Sequence, residues 1–241
     1  MPSPAERAVF HQRRELAARD IRLKASLGQN ILDDPNLCAK IVRAADIVPG
    51  ETVLEIGPGA GALTRALLDA GARVLAVETD GRLIPLLEER FAGEDHLVVR
   101  HADFMKFDLA EARPSTPDGR VKVVSNLPYH LSSPILFRLI DHRALISTAT
   151  VMLQKEMAAR VASGPGTKDY GIVSVRVQAV AEARALFTLP PQVFFPSRVS
   201  IPRSSSSIFG ARACRRNWTS ATCRGAFARH SPKGEKPCKT R

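Results

Sequence analysis

Apolar residues along this chain fall into short β-branched runs separated by segments with helical spacing. The runs at Val53-Leu54, Val74-Leu75-Ala76-Val77, Leu97-Val98-Val99, Val121-Lys122-Val123-Val124 and Thr148 to Leu153 have the length and composition of buried strands. Asp34 before Pro35 predicts a capped helix running to about Ala45. The strand near 52–57 is followed by a helix at about 61–70, stopped by Gly71. After a strand at 73–78, Asp80 is expected to cap a helix through Phe91, with Pro85 in its first turns or bending it. Strands near 97–100 and 121–125 flank a polar loop holding Pro114 and Pro117, and helices follow at 133–142 and 155–163. Residues 170–188 are ambiguous, because Ile172-Val173-Ser174-Val175-Arg176-Val177 alternates like a strand. Strands alternating with helices predict an α/β fold, a doubly wound parallel sheet, with no internal repeat.

The predicted strand ends carry the candidate chemistry. In Glu55-Ile56-Gly57-Pro58-Gly59-Ala60-Gly61 the glycines let the backbone turn sharply and leave no side chain between it and a ligand. The spacing lacks the third glycine of the dinucleotide fingerprint, so a compact nucleoside is favoured over a long pyrophosphate. Glu78 ends the second strand, where a carboxylate can accept both ribose hydroxyls of an adenosine. Asp103 ends the third and suits an adenine amino group. Asn126-Leu127-Pro128-Tyr129 follows the fourth. An exocyclic amine on a nucleobase is a poor nucleophile, because its lone pair is delocalised into the ring. The Asn126 side-chain oxygen and the Leu127 or Pro128 carbonyl can each accept one of its N–H groups, aiming the lone pair at a methyl donor while Tyr129 stacks on the ring. Taken singly, these features read as a turn, a solvated strand end or a helix cap. Their order along one chain is far more specific.

These residues resemble the ribosomal RNA adenine N6,N6-dimethyltransferases that act on small-subunit RNA, the RsmA/KsgA group. The likeness runs from Ser26-Leu27-Gly28-Gln29-Asn30-Ile31-Leu32 through Glu55-Ile56-Gly57-Pro58-Gly59, Glu78, Asp103 and Asn126 to Ile135. It continues through Leu153 to Arg160 and Lys168-Asp169-Tyr170-Gly171, about 170 residues in all. The resemblance implies a Rossmann-like methyltransferase domain over 26–196, with a charged extension at 1–25. It implies S-adenosylmethionine contacts at Asn30, Leu32, Gly57, Gly59, Glu78, Asp103 and Asn126. Target-base contacts are implied at Asn126, Leu127, Pro128 and Tyr129, and at an aromatic of the Phe194-Phe195-Pro196 element, taken here as Phe194. The resemblance implies a helix in the ambiguous stretch, to about Gln178, with a strand after it. The implied partner is 16S ribosomal RNA in the small subunit, and neither a metal nor an obligate partner chain is called for. Two alternatives stay open: the related macrolide-resistance enzymes that modify large-subunit RNA, and a non-catalytic ribosome-assembly or RNA-binding protein.

Composition changes the picture mainly at one end. The formal charge is +11, yet residues 1–195 hold 24 Lys and Arg against 23 Asp and Glu, while 196–241 hold 11 against one. Bulk charge therefore says little about the catalytic portion, and an RNA footprint there rests on clusters such as Arg13-Arg14, Arg19, Arg22 and Lys24, or Lys155 and Arg160. After Pro196 the family's proline-rich turn, strand and small helical domain give way to Pro202, the run Ser204 to Ser207, and an Arg-, Ser- and Thr-rich stretch. The region 197–241 is thus expected to be an atypical, disordered basic tail, as a shifted reading frame would produce. Cys214, Cys223 and Cys238 match no zinc spacing. No run approaches the ~20 apolar residues of a membrane span, and Met1 to Arg22 is charged throughout, so a cytoplasmic protein is expected.

Overall fold

Each of the apolar runs forms a strand, and seven strands share one sheet. The computed structural model describes residues 12–23, 30–32, 34–113, 119–190, 193–195 and 206–213. Helix α1 is Gln12–Ala18, β1 is Ile31–Leu32, α2 is Pro35–Ala44, β2 is Thr52–Ile56, α3 is Ala62–Asp69 and β3 is Arg73–Glu78. Then come α4 (Ile84–Arg90), β4 (Leu97–His101), β5 (Val121–Asn126), α5 (Ser132–Asp141), β6 (Ile146–Gln154) and α6 (Lys155–Ala162). The described chain closes with α7 (Ile172–Gln178), β7 (Ala181–Leu189), β8 (Phe194–Phe195) and β9 (Ser206–Ala213).

The sheet order is β4-β3-β2-β5-β6-β9-β7. Strands β2 to β6 pair in parallel, whereas β9 runs antiparallel to both β6 and β7. The expected doubly wound parallel sheet holds over β2 to β6, and β9 makes the whole sheet mixed. Chain order reverses between β2 and β5, the switch point at which open α/β sheets hold ligands beyond their carboxyl ends. Alternation along each strand sorts side chains onto two faces. Leu54, Ile56, Val123, Val151 and Phe209 pack with Ile135, Leu139, Val161 and Val177 from α5, α6 and α7. Val53, Val74, Val124, Met152 and Ile208 pack with Ile41, Leu67 and Leu87 from α2, α3 and α4.

The expected tail is corrected over Ser206–Ala213, which lies inside the sheet. Phe209 pairs with Val151 on one side and Ala185 on the other, so the backbone polar groups of β9 find partners in two neighbours. Ile208 and Phe209 present one large side chain to each core, and Gly210 admits the Leu186 side chain, which would sit 3.1 Å from an added Cβ. Residues 214–241, with three of the cysteines, lie outside the described residues, as do 24–29 and Pro196.

Two smaller expectations change. Asp80 caps no helix; it accepts from the Arg82 backbone N–H at 3.2 Å and pairs with the Arg82 guanidinium at 2.6 Å, and α4 starts later with Pro85 in its first turn. Part of the charged extension docks on the domain: Leu16 of α1 is buried against Ile31, Ala60, Leu83 and Leu86, and Glu15 pairs with Arg90. Arg19 likewise pairs with Glu89 at 2.5 Å, so that cation is already matched by a carboxylate, whereas Lys155 and Arg160 are exposed. Among the described residues no helix is long and apolar enough to cross a membrane.

Candidate active site

A cleft containing about 790 Å³ of empty space, its open mouth included, lies over the switch point. Asn30, Gly57, Gly59, Glu78, Asp103, Asn126 and Pro128, all singled out in the sequence, line it. The turn after β2 is tied down by the Gly57 N–H to the Val77 carbonyl at 2.8 Å and by the Ser125 hydroxyl to the Ile56 carbonyl at 2.6 Å. Gly57 has φ +68°, and a Cβ there would meet nothing within 4 Å, so the space above it is open for a ligand. At Gly61, φ is +87° and a Cβ would come within 2.6 Å of the Phe91 ring, so that glycine serves helix packing instead.

Glu78 is buried beside this turn. Its Oε1 accepts from the backbone N–H groups of Thr79 and Asp80, each at 2.9 Å, and Oε2 accepts from Gly59 at 3.1 Å. A carboxylate offers about four lone-pair positions, so one on Oε2 is left for a ribose hydroxyl. Burial pushes the Glu78 carboxyl above its usual range, while the three N–H donors pull it back and Asp80 raises it further. Asp103 is exposed at the cleft edge, where its Oδ1 accepts from the Met105 N–H at 2.9 Å.

The end of β5 is the most constrained part. The Asn126 Nδ2 donates to the Asn30 carbonyl at 2.7 Å. Because that acceptor is a carbonyl, the other amide atom must be oxygen, which sets Oδ1 as an acceptor. The structure also separates the two carbonyls that the sequence left open. Pro128 O already accepts from the Leu131 N–H at 3.0 Å and the Ser132 hydroxyl at 3.2 Å, while the Leu127 carbonyl accepts no hydrogen bond among the described residues. The Leu127 side chain itself is core. Asn126, which lines the cleft, thus offers Oδ1 as an acceptor, and the Leu127 carbonyl is the next acceptor along the chain.

Three further expected site residues do not line this cleft. Leu32 is buried and borders a second, smaller hollow that shares Asn30, Gly57, Gly59 and Asn126 with the cleft and is lined also by Glu55, Leu63 and Met152. Phe194 pairs with Leu32 across β1 and β8, and its ring is only 5% exposed within the core, outside the cleft lining. Tyr129 is half-buried, with its hydroxyl 2.8 Å from Ser206 Oγ.

Sequence reasoning missed Leu23, Thr79, Met105 and the exposed His130 in the cleft wall. Thr79 and His130 follow directly on the motif residues Glu78 and Tyr129, which is a usable signal; nothing in the sequence pointed to Leu23. It also missed Glu55, a carboxyl inside an apolar strand run. Glu55 is 1% exposed and accepts from the Thr64 hydroxyl at 2.7 Å. Burial pushes its pKa from 4.5 to about 8, the Thr64 hydroxyl opposing and Glu78 adding to the rise.

That shift carries a sign. Between 4.5 and about 8 the folded chain holds a proton that the unfolded chain has released, so stability present below 4.5 falls as pH rises through this window and then levels off. The slope approaches about 1.4 kcal/mol per pH unit. Glu55→Gln is expected to flatten it, which urea midpoints at pH 5.5 and 8.5 for both proteins would reveal. A wild-type midpoint that rises over this interval would be the opposite of the expected result.

The sheet order and the cleft at its switch point define a Rossmann-like methyltransferase fold. Residues 21–201 match the family model described as ribosomal RNA adenine dimethylase, and the chain belongs to that family. A ribosomal RNA small subunit methyltransferase A from Acidobacterium capsulatum is 46% identical over 183 residues, covering 76% of this chain and 64% of that protein. One of the same description from Shouchella clausii is 42% identical over 77% of this chain and 62% of its own length. The chain therefore spans a little under two thirds of these relatives. Among solved structures, a dimethyladenosine transferase from Plasmodium falciparum superposes with a TM-score of 0.65 at 30% identity, covering 76% of this chain and 63% of that one. The 23S rRNA methyltransferase ErmE gives 0.65 at 28% identity, covering 82% and 76%.

Proposed function

We propose that this chain transfers methyl groups from S-adenosylmethionine to N6 of adenine in small-subunit (16S) ribosomal RNA, giving N6,N6-dimethyladenosine, as a cytoplasmic monomer. The observation that carries the reading is the pair of acceptors, Asn126 Oδ1 and Leu127 O, at the switch point beside the cleft that Glu78 and the glycine turn line. The small-subunit assignment draws on relatives at 42–46% identity.

The cleft residues suit the donor. The open space over Gly57 takes a ligand backbone, Glu78 has a lone pair for a ribose hydroxyl, and Asp103 stands at the edge for an adenine amine. When bound, S-adenosylmethionine supplies an electrophilic methyl group on a positively charged sulfur. Asn126 and Leu127 hold the two N6 hydrogens of the target base, directing the nitrogen lone pair away from the ring plane. Tyr129 supplies a face on which an extruded base stacks. Nitrogen becomes cationic as it accepts the methyl group, so its proton is then acidic and passes to water without a strong general base.

Glu78→Ala is expected to weaken S-adenosylmethionine binding by about tenfold or more, the scale of a hydrogen bond to a charged group. Titration calorimetry on the folded variant reads this directly, and an unchanged Kd would remove Glu78 from the ribose. Offering small and large ribosomal subunits in parallel, both lacking the modification, and mapping the methylated nucleotide tests the RNA assignment. Label confined to the large subunit would transfer the reading to the macrolide-resistance type.

A further inference from the structure

We infer that Ser206 is a positioning residue for the ring on which the target adenine stacks; the inference rests on the methyl-transfer reading above. The Tyr129 hydroxyl and Ser206 Oγ lie 2.8 Å apart. Tyr129 opens the short turn Tyr129–Leu131, and the Pro128 carbonyl binds both the Leu131 N–H and the Ser132 hydroxyl, which fixes the backbone end of the tyrosine. Ser206 opens β9, is 1% exposed, and is paired with Gln154 of β6 and Leu189 of β7. The phenol is therefore held at one end by a capped turn and at the other by the interior of the sheet.

A ring held at both ends has surrendered its rotamer freedom before the substrate arrives. Ordering a mobile aromatic side chain on binding would oppose association, and this arrangement removes that cost. A phenolic hydrogen bond lies near the ring plane, so the contact with Ser206 engages the edge of the ring rather than its faces. Phe194, the other ring considered for stacking, is enclosed in the core. Ser206 lies beyond residue 201, where the match to the family model ends, so a segment outside that match contributes to the base site as well as to the sheet.

The test uses the full chain carrying Ser206→Ala, Ser206→Thr, Tyr129→Phe, Tyr129→Ala or the double change Ser206→Ala with Tyr129→Phe. Methyl transfer to small subunits lacking the modification is measured alongside S-adenosylmethionine affinity. Ser206→Ala and Tyr129→Phe are each expected to lower kcat/KM for the subunit by about fivefold to tenfold, the scale of one neutral hydrogen bond. The double variant should lose no more than either single one, Ser206→Thr should recover most of the loss, and the cofactor Kd should stay at the wild-type value. Tyr129→Phe probes the same bond from the other side if Ser206→Ala folds poorly. Wild-type kcat/KM in Ser206→Ala, with Tyr129→Ala inactive, would overturn the inference and leave the function standing. Additive losses in the double variant would also overturn it. A wild-type chain that methylates no adenine would overturn both.

Discussion

Asn126→Ala is expected to lower methyl transfer by about 10²- to 10³-fold, in the range seen when one preorganised polar group is taken from a reacting centre. The loss should fall on kcat. The Asn126 side chain holds the amine through Oδ1 and the Asn30 carbonyl through Nδ2, so alanine removes the acceptor and loosens the segment beside it. Cofactor affinity should change only a fewfold, because Glu78 and the glycine turn are held by their own hydrogen bonds. Asn126→Asp separates the two roles: it keeps an acceptor but loses the donor to Asn30. Rapid-quench turnover with separately measured cofactor binding checks this, and an unimpaired kcat in Asn126→Ala would remove the residue from the mechanism.

The second large effect concerns stability. Phe209→Ala is expected to cost about 3–5 kcal/mol, the range for truncating a large aromatic in a packed core. Phe209 is 1% exposed and sits on a strand with neighbours on both sides, Val151 and Ala185. Removing its ring takes atoms from the cluster that joins the sheet to α5, α6 and α7. The urea midpoint should fall sharply while the transition stays cooperative. A change below about 1 kcal/mol, the size of an ordinary surface substitution, would mean that Ser206–Ala213 is not the interior strand described above.

That strand shows where sequence reading stops. The runs at 52–56, 73–78 and 121–126 were legible because each is apolar, β-branched and bounded by turn residues. In β9 the local signal points elsewhere, toward a serine-rich coil after Pro202. Its identity is decided by the slot between β6 and β7, which accepts any segment able to supply backbone partners and one large side chain per face; Ile208 and Phe209 suffice. At 172–178 the difficulty was different. Ile172 and Val175 are 72% and 46% exposed while Ser174 and Val177 are buried, so apolar alternation did not report which positions face the core.

The candidate site was legible to the extent that its chemistry sits at strand ends. Gly57, Glu78, Asp103 and Asn126 converge because parallel strands place their carboxyl ends on one edge. What the spacing did not convey was pairing across the chain. Leu32 and Phe194 face each other in a two-stranded ribbon and are buried together, which takes Phe194 out of the cleft. The choice of Leu127 over Pro128 as the second acceptor likewise depends on which carbonyl the following turn has already engaged.

The most direct measurement is methyl transfer from labelled S-adenosylmethionine to small ribosomal subunits lacking the modification, followed by digestion and nucleoside analysis. The account predicts N6,N6-dimethyladenosine. Absence of any labelled nucleoside, in a preparation that still binds S-adenosylmethionine, would contradict it and leave a methyltransferase fold retained for binding alone.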